Sequence, residues 1–435
     1  MNAALSRRRW PWVVLLSLVL LAYLSTWLEV TTGDLRPKGA AADVYGLRFR
    51  DDVNVLFILI DTLRADRLGA YGYERDTSPT LDYMASTGVR FTRHLAQSSW
   101  TKASMASLWT GLYPARSRVT RFDHGLPEEA LLPAELFAEA GFRTTGIWRN
   151  GWVAPNFGFN QGFEVYERPR AKPAPAEFRR ENPHITLEGT DLDIVDNAVE
   201  FLRAHGNERW LLYLHMMDVH QYVYSEQSAL FGSDYSDIYD NSIHHTDTTL
   251  GRLLTFLAEN GLLEKTLVVI TSDHGEAFSE RGIEGHARHV YRESTEIPLI
   301  LGLPVRLEPG IEVDVRSRNI DVWPTILDLL GLPPLEDRDG RSLVPQILAA
   351  LEGEPAEGGG DLAIAHLDRT WGQRQREPNP AVALVEDRFR YIYAPEPRGG
   401  LEEQLFDGGN DVLERTDVIA EHPERASRLR EAARV

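Results

Sequence analysis

The chain has 435 residues, 43% of them hydrophobic and 26% charged, which is enough apolar material for a large core and excludes wholesale disorder. Its formal net charge is −19, and the first thirty residues carry +2, so residues 31–435 carry −21. So acidic a surface argues against a nucleic-acid partner. The absence of cysteine excludes disulfides, cysteine-ligated zinc and thiol catalysis.

The N-terminus predicts a membrane anchor over residues 1–30, followed by a linker over 31–52. Three arginines, Arg7 to Arg9, precede 19 uncharged residues from Trp10 to Leu28. As a helix these would span about 28 Å, close to the hydrocarbon core of a bilayer. The arginines favour a cytoplasmic N-terminus, which predicts a single-pass protein of the cytoplasmic (inner) membrane with a periplasmic or extracytoplasmic catalytic domain. A cleaved signal peptide is the competing interpretation.

The remaining chain alternates between predicted strands and helices, which indicates an α/β fold with a doubly wound, mostly parallel sheet. Short apolar runs predict buried strands at 53–60, 143–148, 210–215, 267–272 and 298–303. Helical patterns separate them at 128–140, 191–204, 234–260 and 322–330. We expect a proline-rich surface insertion at 168–183. The glycine-rich break at 353–360 divides a catalytic domain, 53–352, from a small C-terminal α+β subdomain, 362–435, with a hairpin at 382–393 and a helix at 423–434.

Polar side chains cluster where three of these strands end. Asp61 follows the first strand, His215 closes the strand at 210–215 with Asp218 and His220 just after it, and Asp273 and His274 follow the strand at 267–272. Ligands of open α/β sheets bind beyond the carboxyl ends of the strands. Two carboxylates and an imidazole suit one divalent metal ion, with Zn²⁺ or Mn²⁺ favoured over Ca²⁺.

A hydroxyl-rich loop leads into a short helix at Thr101, which Gly111 and Pro114 terminate. A hydroxyl at a helix N-terminus is most often only a cap. The functional interpretation makes Thr101 a metal-activated nucleophile whose helix holds the anionic oxygens of a substrate. Lys102, one of only four lysines, fits an anionic substrate, although an ordinary surface lysine is the simpler alternative.

From residue 53 to about residue 430 the chain resembles the sulfatase family of the alkaline phosphatase superfamily. Residues 54–72 resemble the family's first strand and metal loop, 101–114 its nucleophile motif, and 214–222 its Leu-His-x-x-Asp-x-His segment. Residues 273–276 with 285–286 resemble the second metal loop and its following histidine. Residues 320–330 with 340–343 resemble a late helix and loop, and 388–407 the C-terminal subdomain. The resemblance implies the family's fold and a metal-dependent ester hydrolase or transferase.

The nucleophile motif departs from that of true sulfatases, which convert a Cys or Ser to formylglycine. Thr101 stands at that position, and the motif's Pro and Arg are Ala103 and Met105. The paired Asp-Asp of the first metal loop is Asp61-Thr62. A threonine here resembles the phosphodiesterases, phosphoglycerol transferases and phosphoethanolamine transferases of the superfamily, which form a phosphothreonine intermediate. We therefore expect phosphoester rather than sulfate ester chemistry.

The resemblance also assigns roles to the candidate residues. Asp61, Thr101, Asp273 and His274 would bind one metal ion, since Asp218-Val219-His220 lacks the two-metal Asp-x-x-x-His spacing. His286 would act as general acid or anion clamp, helped by His220 and Lys102 on the non-bridging oxygens. His215 and Asp218 are expected to orient a ligand, Asn150 is a further candidate for the pocket, and His244-His245 are expected to be solvated.

Two alternatives remain open. One is a sulfuric ester hydrolase that works without formylglycine, and the other is a catalytically silent binding protein that keeps the fold. The expected substrate is an anionic ester, which could be a lipid head group, a glycan or a small ester.

Overall fold

A computed structural model describes residues 34–172, 176–182, 189–355, 362–373, 376–395 and 400–434, together with Val14 and Ser17. The predicted membrane anchor lies outside the described residues except for these two. None of the described helices is long and apolar enough to cross a bilayer. The chain forms two compact units, residues 1–35 and 36–435, and the elements below belong to the second.

The described elements alternate between helices and strands over most of the second unit. The helices are α1 (Ala41–Gly46), α2 (Pro79–Ser86), α3 (Thr101–Thr110), α4 (Pro114–Ser117), α5 (Pro133–Glu139), α6 (Ala176–Glu181), α7 (Asp191–His205), α8 (Tyr235–Glu259), α9 (Arg292–Thr295), α10 (Asn319–Leu329), α11 (Val344–Glu352) and α12 (Pro423–Ala433). The strands are β1 (Asn54–Ile60), β2 (Val89–Leu95), β3 (Arg143–Trp148), β4 (Val165–Glu167), β5 (Trp210–Met216), β6 (Thr266–Thr271), β7 (Ala277–Phe278), β8 (Glu284–Gly285), β9 (Glu296–Gly302), β10 (Ile311–Arg318), β11 (Ala363–Asp368), β12 (Pro380–Glu386), β13 (Phe389–Pro395) and β14 (Leu401–Asp407).

Within the described residues, eight strands form a mixed, mostly parallel central sheet in the order β10-β2-β9-β6-β1-β5-β3-β4. The expected doubly wound α/β fold is therefore confirmed, with one correction: β9, predicted among the parallel strands, pairs antiparallel with both β6 and β2. Three strands of this sheet, β2, β4 and β10, were not predicted. In β2 and β10 the apolar runs are broken by charged residues, because both strands lie towards one edge of the sheet.

The central sheet is covered by helices on both faces because its inner strands are apolar throughout. All seven residues of β1 are buried. On one face Phe57 stacks on Trp323 of α10 at a centroid distance of 4.7 Å, and Trp109 of α3 lies 4.9 Å from the same indole. On the other face β1, β5 and β6 pack against α2, α7 and α8. These layers hold the carboxyl ends of β1, β5 and β6 side by side.

The C-terminal region forms its own antiparallel sheet, in the order β11-β12-β13-β14. One face packs against α12 through Leu384, Tyr391 and Leu429. The other face packs against Trp100 and Ala103, at the start of α3. The small sheet therefore covers the helix that carries Thr101. The domain boundaries predicted at 53–352 and 362–435 stay predictions, and α1 lies within the predicted linker.

Candidate active site

The residues predicted at the carboxyl ends of β1 and β6 come together in one buried cluster. A ligand atom of Asp61, one of Asp273 and one of His274 lie within 4.8 Å of one another. All three side chains are fully buried. The cluster forms because β1 and β6 are parallel neighbours, so the residues that follow them meet at one edge of the sheet.

Asp61 divides its two carboxylate oxygens between different tasks. Its Oδ2 accepts hydrogen bonds from Asn150 Nδ2 at 2.6 Å and from His215 Nε2 at 3.1 Å. Its Oδ1 is buried and has no hydrogen-bond partner among the residues that the structure describes. The hydroxyl of Tyr213 lies 2.7 Å from His215 Nδ1, which is consistent with the ring proton lying on Nε2 and pointing at Asp61.

Asp273 and His274 likewise each have one polar atom bonded to the protein and one that faces the site. Asp273 Oδ1 accepts hydrogen bonds from the backbone amides of His274 and Thr62, whereas its Oδ2 has no donor within the described part of the chain. His274 Nδ1 lies 3.0 Å from the Gly275 carbonyl oxygen, which favours the tautomer with its proton on Nδ1 and a lone pair on Nε2. That lone pair lies 3.2 Å from Asp273 Oδ2. Two buried acceptors this close to each other fit a cation between them, and the donor set suits a divalent metal ion.

Thr101 meets the cluster at the first residue of α3. Its Oγ1 lies 3.1 Å from His274 Nε2 and 3.5 Å from Asn150 Nδ2, and the side chain is buried. No side chain caps the N-terminus of this ten-residue helix. The amide groups of the first turn and the hydroxyl are therefore available to an anion beside the carboxylates.

Three histidine rings line the site. The ring of His286 lies 4.5 Å from that of His274 and 5.0 Å from that of His220. Burial would lower the pKa of His286, but the hydrogen bond and negative charge of Glu276 outweigh burial and raise it. Burial lowers the pKa of His220, whose Nδ1 has no protein partner. Of these two rings, His286 is thus the one favoured to carry a proton.

The surroundings of Asp61 favour its ionised form, as those of His286 favour its protonated form. Burial raises the pKa of a carboxyl group, yet the histidines around it, above all His220 and His215, hold the pKa of Asp61 well below its usual range. A carboxylate that stays ionised in a dry site is the form that binds a metal ion.

Lys102 has different partners from those expected for an anion-binding residue. Its ammonium donates to the carbonyl oxygen of Phe122 at 2.6 Å, and four aromatic rings surround it. Burial lowers the pKa of Lys102 to about 8.

Of the further candidates, Asp218 lies away from the cluster of Asp61, Asp273 and His274, whereas His215 and Asn150 lie within it. Asp218 pairs with the buried guanidinium of Arg149. His244 and His245, which were expected to be solvated, are both partly buried, and only 15% of the His245 side chain is exposed where it lies beside Asp218. His215 and Asn150, by contrast, both bind Asp61 directly.

Sequence reasoning missed several residues that shape the site. Glu276 holds His286, and Tyr222 donates its hydroxyl to Glu276 at 3.0 Å. Tyr213 orients His215 from two positions earlier on the same strand face, which is a spacing that the sequence displays. Thr62 adopts φ 63°, so a non-glycine residue holds a left-handed backbone where its amide reaches Asp273.

Comparison with known proteins places the fold and site in one family. The sequence profile of the sulfatase family matches residues 53–332. Human arylsulfatase A is 28% identical over 352 residues, which cover 70% of this chain and 69% of that protein. A solved sulfatase-like structure, described as a putative sulfatase from Bacteroides thetaiotaomicron, matches with a TM-score of 0.71 at 20% identity over 88% of this chain and 91% of the other.

The phosphonate monoester hydrolase of Agrobacterium radiobacter matches with a TM-score of 0.66 at 22% identity, over 88% of this chain and 94% of the other. At such identities the two solved structures support the fold alone. The family profile spans well over half of the chain, in the region that holds Asp61, Thr101, Asp273 and His274. The chain therefore belongs to the sulfatase family and is an ester hydrolase of the class that acts on sulfuric or phosphoric esters.

Proposed function

We propose that this protein is a metal-dependent enzyme that cleaves or transfers a phosphoester group with Thr101 as its nucleophile. One observation carries the proposal: the Thr101 hydroxyl lies 3.1 Å from His274 Nε2, at a helix start beside two buried carboxylates. The chain has no cysteine that could be converted to formylglycine. An unmodified threonine can be regenerated after each turnover when water or an alcohol attacks its phosphoryl ester.

The proposed metal ligands are Asp61, Asp273 and His274, with Thr101 Oγ1 as a fourth. Asp61 Oδ1 and Asp273 Oδ2, the two buried oxygens without donors, are the atoms we expect to bind. A bound divalent ion would lower the pKa of the threonine hydroxyl and offset the charge on the group being transferred. One ion is proposed, with Zn²⁺ or Mn²⁺ favoured because an imidazole joins the carboxylates, and Ca²⁺ as the lesser option.

The chain's own residues supply the rest of the reaction. Thr101 first loses its hydroxyl proton to solvent, and its Oγ1 then forms a bond to phosphorus in line with the ester oxygen while the bond from phosphorus to that oxygen breaks. His286, held by Glu276, gives its proton to the departing alcohol. His220 and the amide groups at the start of α3 bind the non-bridging oxygens. Water or a second alcohol then attacks the phosphorus of the phosphothreonine and gives its proton to His286, while the bond from phosphorus to Oγ1 breaks and returns Thr101 in its ionised form.

A second candidate function is hydrolysis of a sulfuric ester without formylglycine. The 28% identity to human arylsulfatase A favours it. A catalytically silent binding protein is the third outcome, and the cluster of Asp61, Thr101, Asp273 and His274 argues against it.

We also propose that residues 1–30 anchor the protein in the cytoplasmic membrane, with the catalytic domain on the outer side. The support is the sequence alone: three arginines before an apolar stretch of 19 residues. The substrate is then an extracytoplasmic anionic ester, carried by a lipid head group, a glycan or a small molecule. Carbonate extraction of membranes and protease digestion of spheroplasts test this. Release by carbonate, or protection of the catalytic domain in spheroplasts, would contradict it.

The reaction is tested with the full-length protein in detergent, stripped of metal and reloaded with Zn²⁺, Mn²⁺ or Ca²⁺. The substrates are p-nitrophenyl phosphate, bis-p-nitrophenyl phosphate and p-nitrophenyl sulfate. Thr101→Ala removes the nucleophile, and the matched control Thr101→Ser keeps a hydroxyl at the same position. We expect phosphoester turnover that falls by roughly 10³-fold or more in the alanine variant. The serine variant should retain most of the activity.

A rapidly quenched reaction should yield a peptide with one added phosphoryl group on Thr101, identified by mass spectrometry. Turnover of the sulfate ester in preference to both phosphate esters would overturn the phosphoester assignment in favour of the second candidate. Equal turnover by wild type and Thr101→Ala would overturn the role of the threonine. No turnover of any ester, without metal binding, would favour the silent binding protein.

A further inference from the structure

The Lys102 side chain is fully buried although it carries an ammonium group next to the proposed nucleophile. Its Nζ lies 3.5 Å from the centroid of the Phe157 ring and 5.4 Å from that of Trp152. Trp100 and Phe122 complete the aromatic cage at 5.9 and 6.0 Å. Within the described residues Lys102 forms no salt bridge, and its one hydrogen bond goes to the Phe122 carbonyl oxygen at 2.6 Å. A cation in such a cage is bound by the ring faces and one carbonyl oxygen.

The rings come from separate segments of the chain. Phe122 lies in the loop after α4, whereas Trp152 and Phe157 lie in two short 3₁₀ turns after β3, Gly151–Val153 and Pro155–Phe157. Trp152 packs edge-to-face on Trp100 at 5.3 Å and on Phe122 at 5.2 Å. The single ammonium therefore ties both segments to the start of α3.

The first of these turns leads directly to the metal cluster. The backbone amide of Trp152 donates to Asn150 Oδ1 at 2.8 Å, which fixes the orientation of the side-chain amide. The NH₂ group of Asn150 must then face the site, where it donates to Asp61 Oδ2 at 2.6 Å and lies 3.5 Å from Thr101 Oγ1. A displacement of the turn would move the donor away from both groups.

We propose that Lys102 is a positioning residue whose caged ammonium holds the Gly151–Phe157 segment and thereby keeps the Asn150 amide on Asp61 and Thr101. In this proposal the Lys102 ammonium does not bind the anionic group of the substrate. An arginine does not fit this role, because its planar group brings five N–H donors to a cage that offers one carbonyl oxygen. The kinetic part of the test rests on the proposed function, and the structural part does not.

The kinetic test uses the full-length, metal-loaded protein with Lys102→Met, Lys102→Arg, Asn150→Ala and the double variant Lys102→Met/Asn150→Ala. The exposed Lys265→Met is the matched control and should behave as wild type. Lys102→Met should lower kcat by about 10- to 100-fold, as the loss of a residue that orients a metal ligand usually does. KM should change little. The loss should be the same for the dianionic monoester p-nitrophenyl phosphate and the monoanionic diester bis-p-nitrophenyl phosphate.

Two results separate positioning from anion binding. In the Asn150→Ala background the Lys102→Met change should cost little further activity, because both act on the same donor. Lys102→Arg should fail to restore kcat. A loss confined to KM of the dianionic ester and restored by arginine would overturn the proposal, as would independent effects of Lys102 and Asn150.

Limited trypsin digestion tests the cage without any turnover. Arg121 precedes Phe122, so release of the loop should speed cleavage after Arg121 in Lys102→Met, while Lys265→Met should match wild type. If Lys102→Met does not fold, Phe157→Leu removes the nearest ring and should give the same increase. Faster cleavage supports the cage even if no ester is turned over, in which case the proposed function fails and the inference stands. Unchanged cleavage in both variants overturns the inference.

Discussion

Arg149 lies directly before Asn150, and its replacement by leucine should destabilise the protein in a pH-dependent way. Its guanidinium, Asp191 and Asp218 are all fully buried. The guanidinium donates to Asp191 at 2.7 Å and to Gln221 at 2.6 Å. Arg149→Leu would leave two buried carboxylates without their cation. Breaking such a pair usually costs about 3–5 kcal/mol. For a chain of this size, that corresponds to roughly 3–6 °C in melting temperature.

The pH dependence follows from the carboxylates that remain. Burial and the neighbouring charge of Asp218 raise the pKa of Asp191 to about 6 even in the presence of Arg149, and burial also raises the pKa of Asp218. Without the guanidinium both pKa values should rise further. The folded variant then binds protons that the unfolded chain, with carboxyl pKa values of about 4, releases. Its free energy of unfolding therefore falls as the pH rises, and the deficit relative to wild type should be smaller at pH 5 than at pH 7.

Urea unfolding followed by tryptophan fluorescence at pH 5 and pH 7 measures this deficit. The double variant Arg149→Leu/Asp218→Asn removes one of the two stranded charges and should recover part of the stability at pH 7. The reasoning is refuted if Arg149→Leu unfolds at the wild-type urea concentration at pH 7. A deficit that is the same at both pH values would show that stranded charge is not its cause.

Three further predictions concern acid stability, metal binding and packing. Burial lowers the pKa of His94 to about 4, against 6.5 when unfolded, so the contribution of His94 to the free energy of unfolding should fall by about 3 kcal/mol as the pH falls from 6.5 to 4, and in urea unfolding His94→Gln should lose less stability than wild type by about that amount. A metal ion at about 100 times its Kd should stabilise wild type by about 2.7 kcal/mol and Asp61→Asn by much less, so identical melting curves of loaded and stripped wild type would contradict the site. In Gly340→Ala the new Cβ would lie 1.8 Å from the Ile320 carbonyl oxygen, which predicts strong destabilisation, whereas the control Gly46→Ala meets nothing within 4 Å and should melt like wild type or higher.

The parts of the fold that could be predicted are those whose signal lies within one segment. β1, β5 and β6 are buried on both faces, so they appear as uninterrupted apolar runs. The polar residues that follow these strands must then lie at one edge of the sheet, which was enough to predict that Asp61, Asp273 and His274 lie close together. The direction of β9 was not predictable, because an apolar run does not encode the orientation of its partners.

Contacts between distant segments explain the rest. Neither β2 nor β10 looks like a strand of a buried sheet, since arginines interrupt β2 and both acidic residues and arginines interrupt β10. The cage around Lys102 combines rings from three parts of the chain, so the local pattern suggested only a cation near a nucleophile. The role of His215 was easier to predict, because Tyr213 lies two residues earlier on the same strand face, where its hydroxyl fixes the tautomer of His215.

The two oxygens of Asp61 and of Asp273 have different partners, so the residues around the proposed metal site are needed, as well as its ligands, to hold its geometry. In each carboxylate one oxygen accepts hydrogen bonds from protein donors, and the other is buried with no donor among the described residues. The ligand atoms of the two carboxylates lie within 4.8 Å of each other, and two unit negative charges at that limit repel by about 3.5 kcal/mol at an effective dielectric constant of 20, so the fold must hold them together until a cation binds between them. On Asp61 that task falls to Asn150 and His215, which are fixed in turn by the Trp152 amide and the Tyr213 hydroxyl. Asn150 Nδ2 also lies 3.5 Å from Thr101 Oγ1, so one of the two donors to Asp61 faces the proposed nucleophile as well.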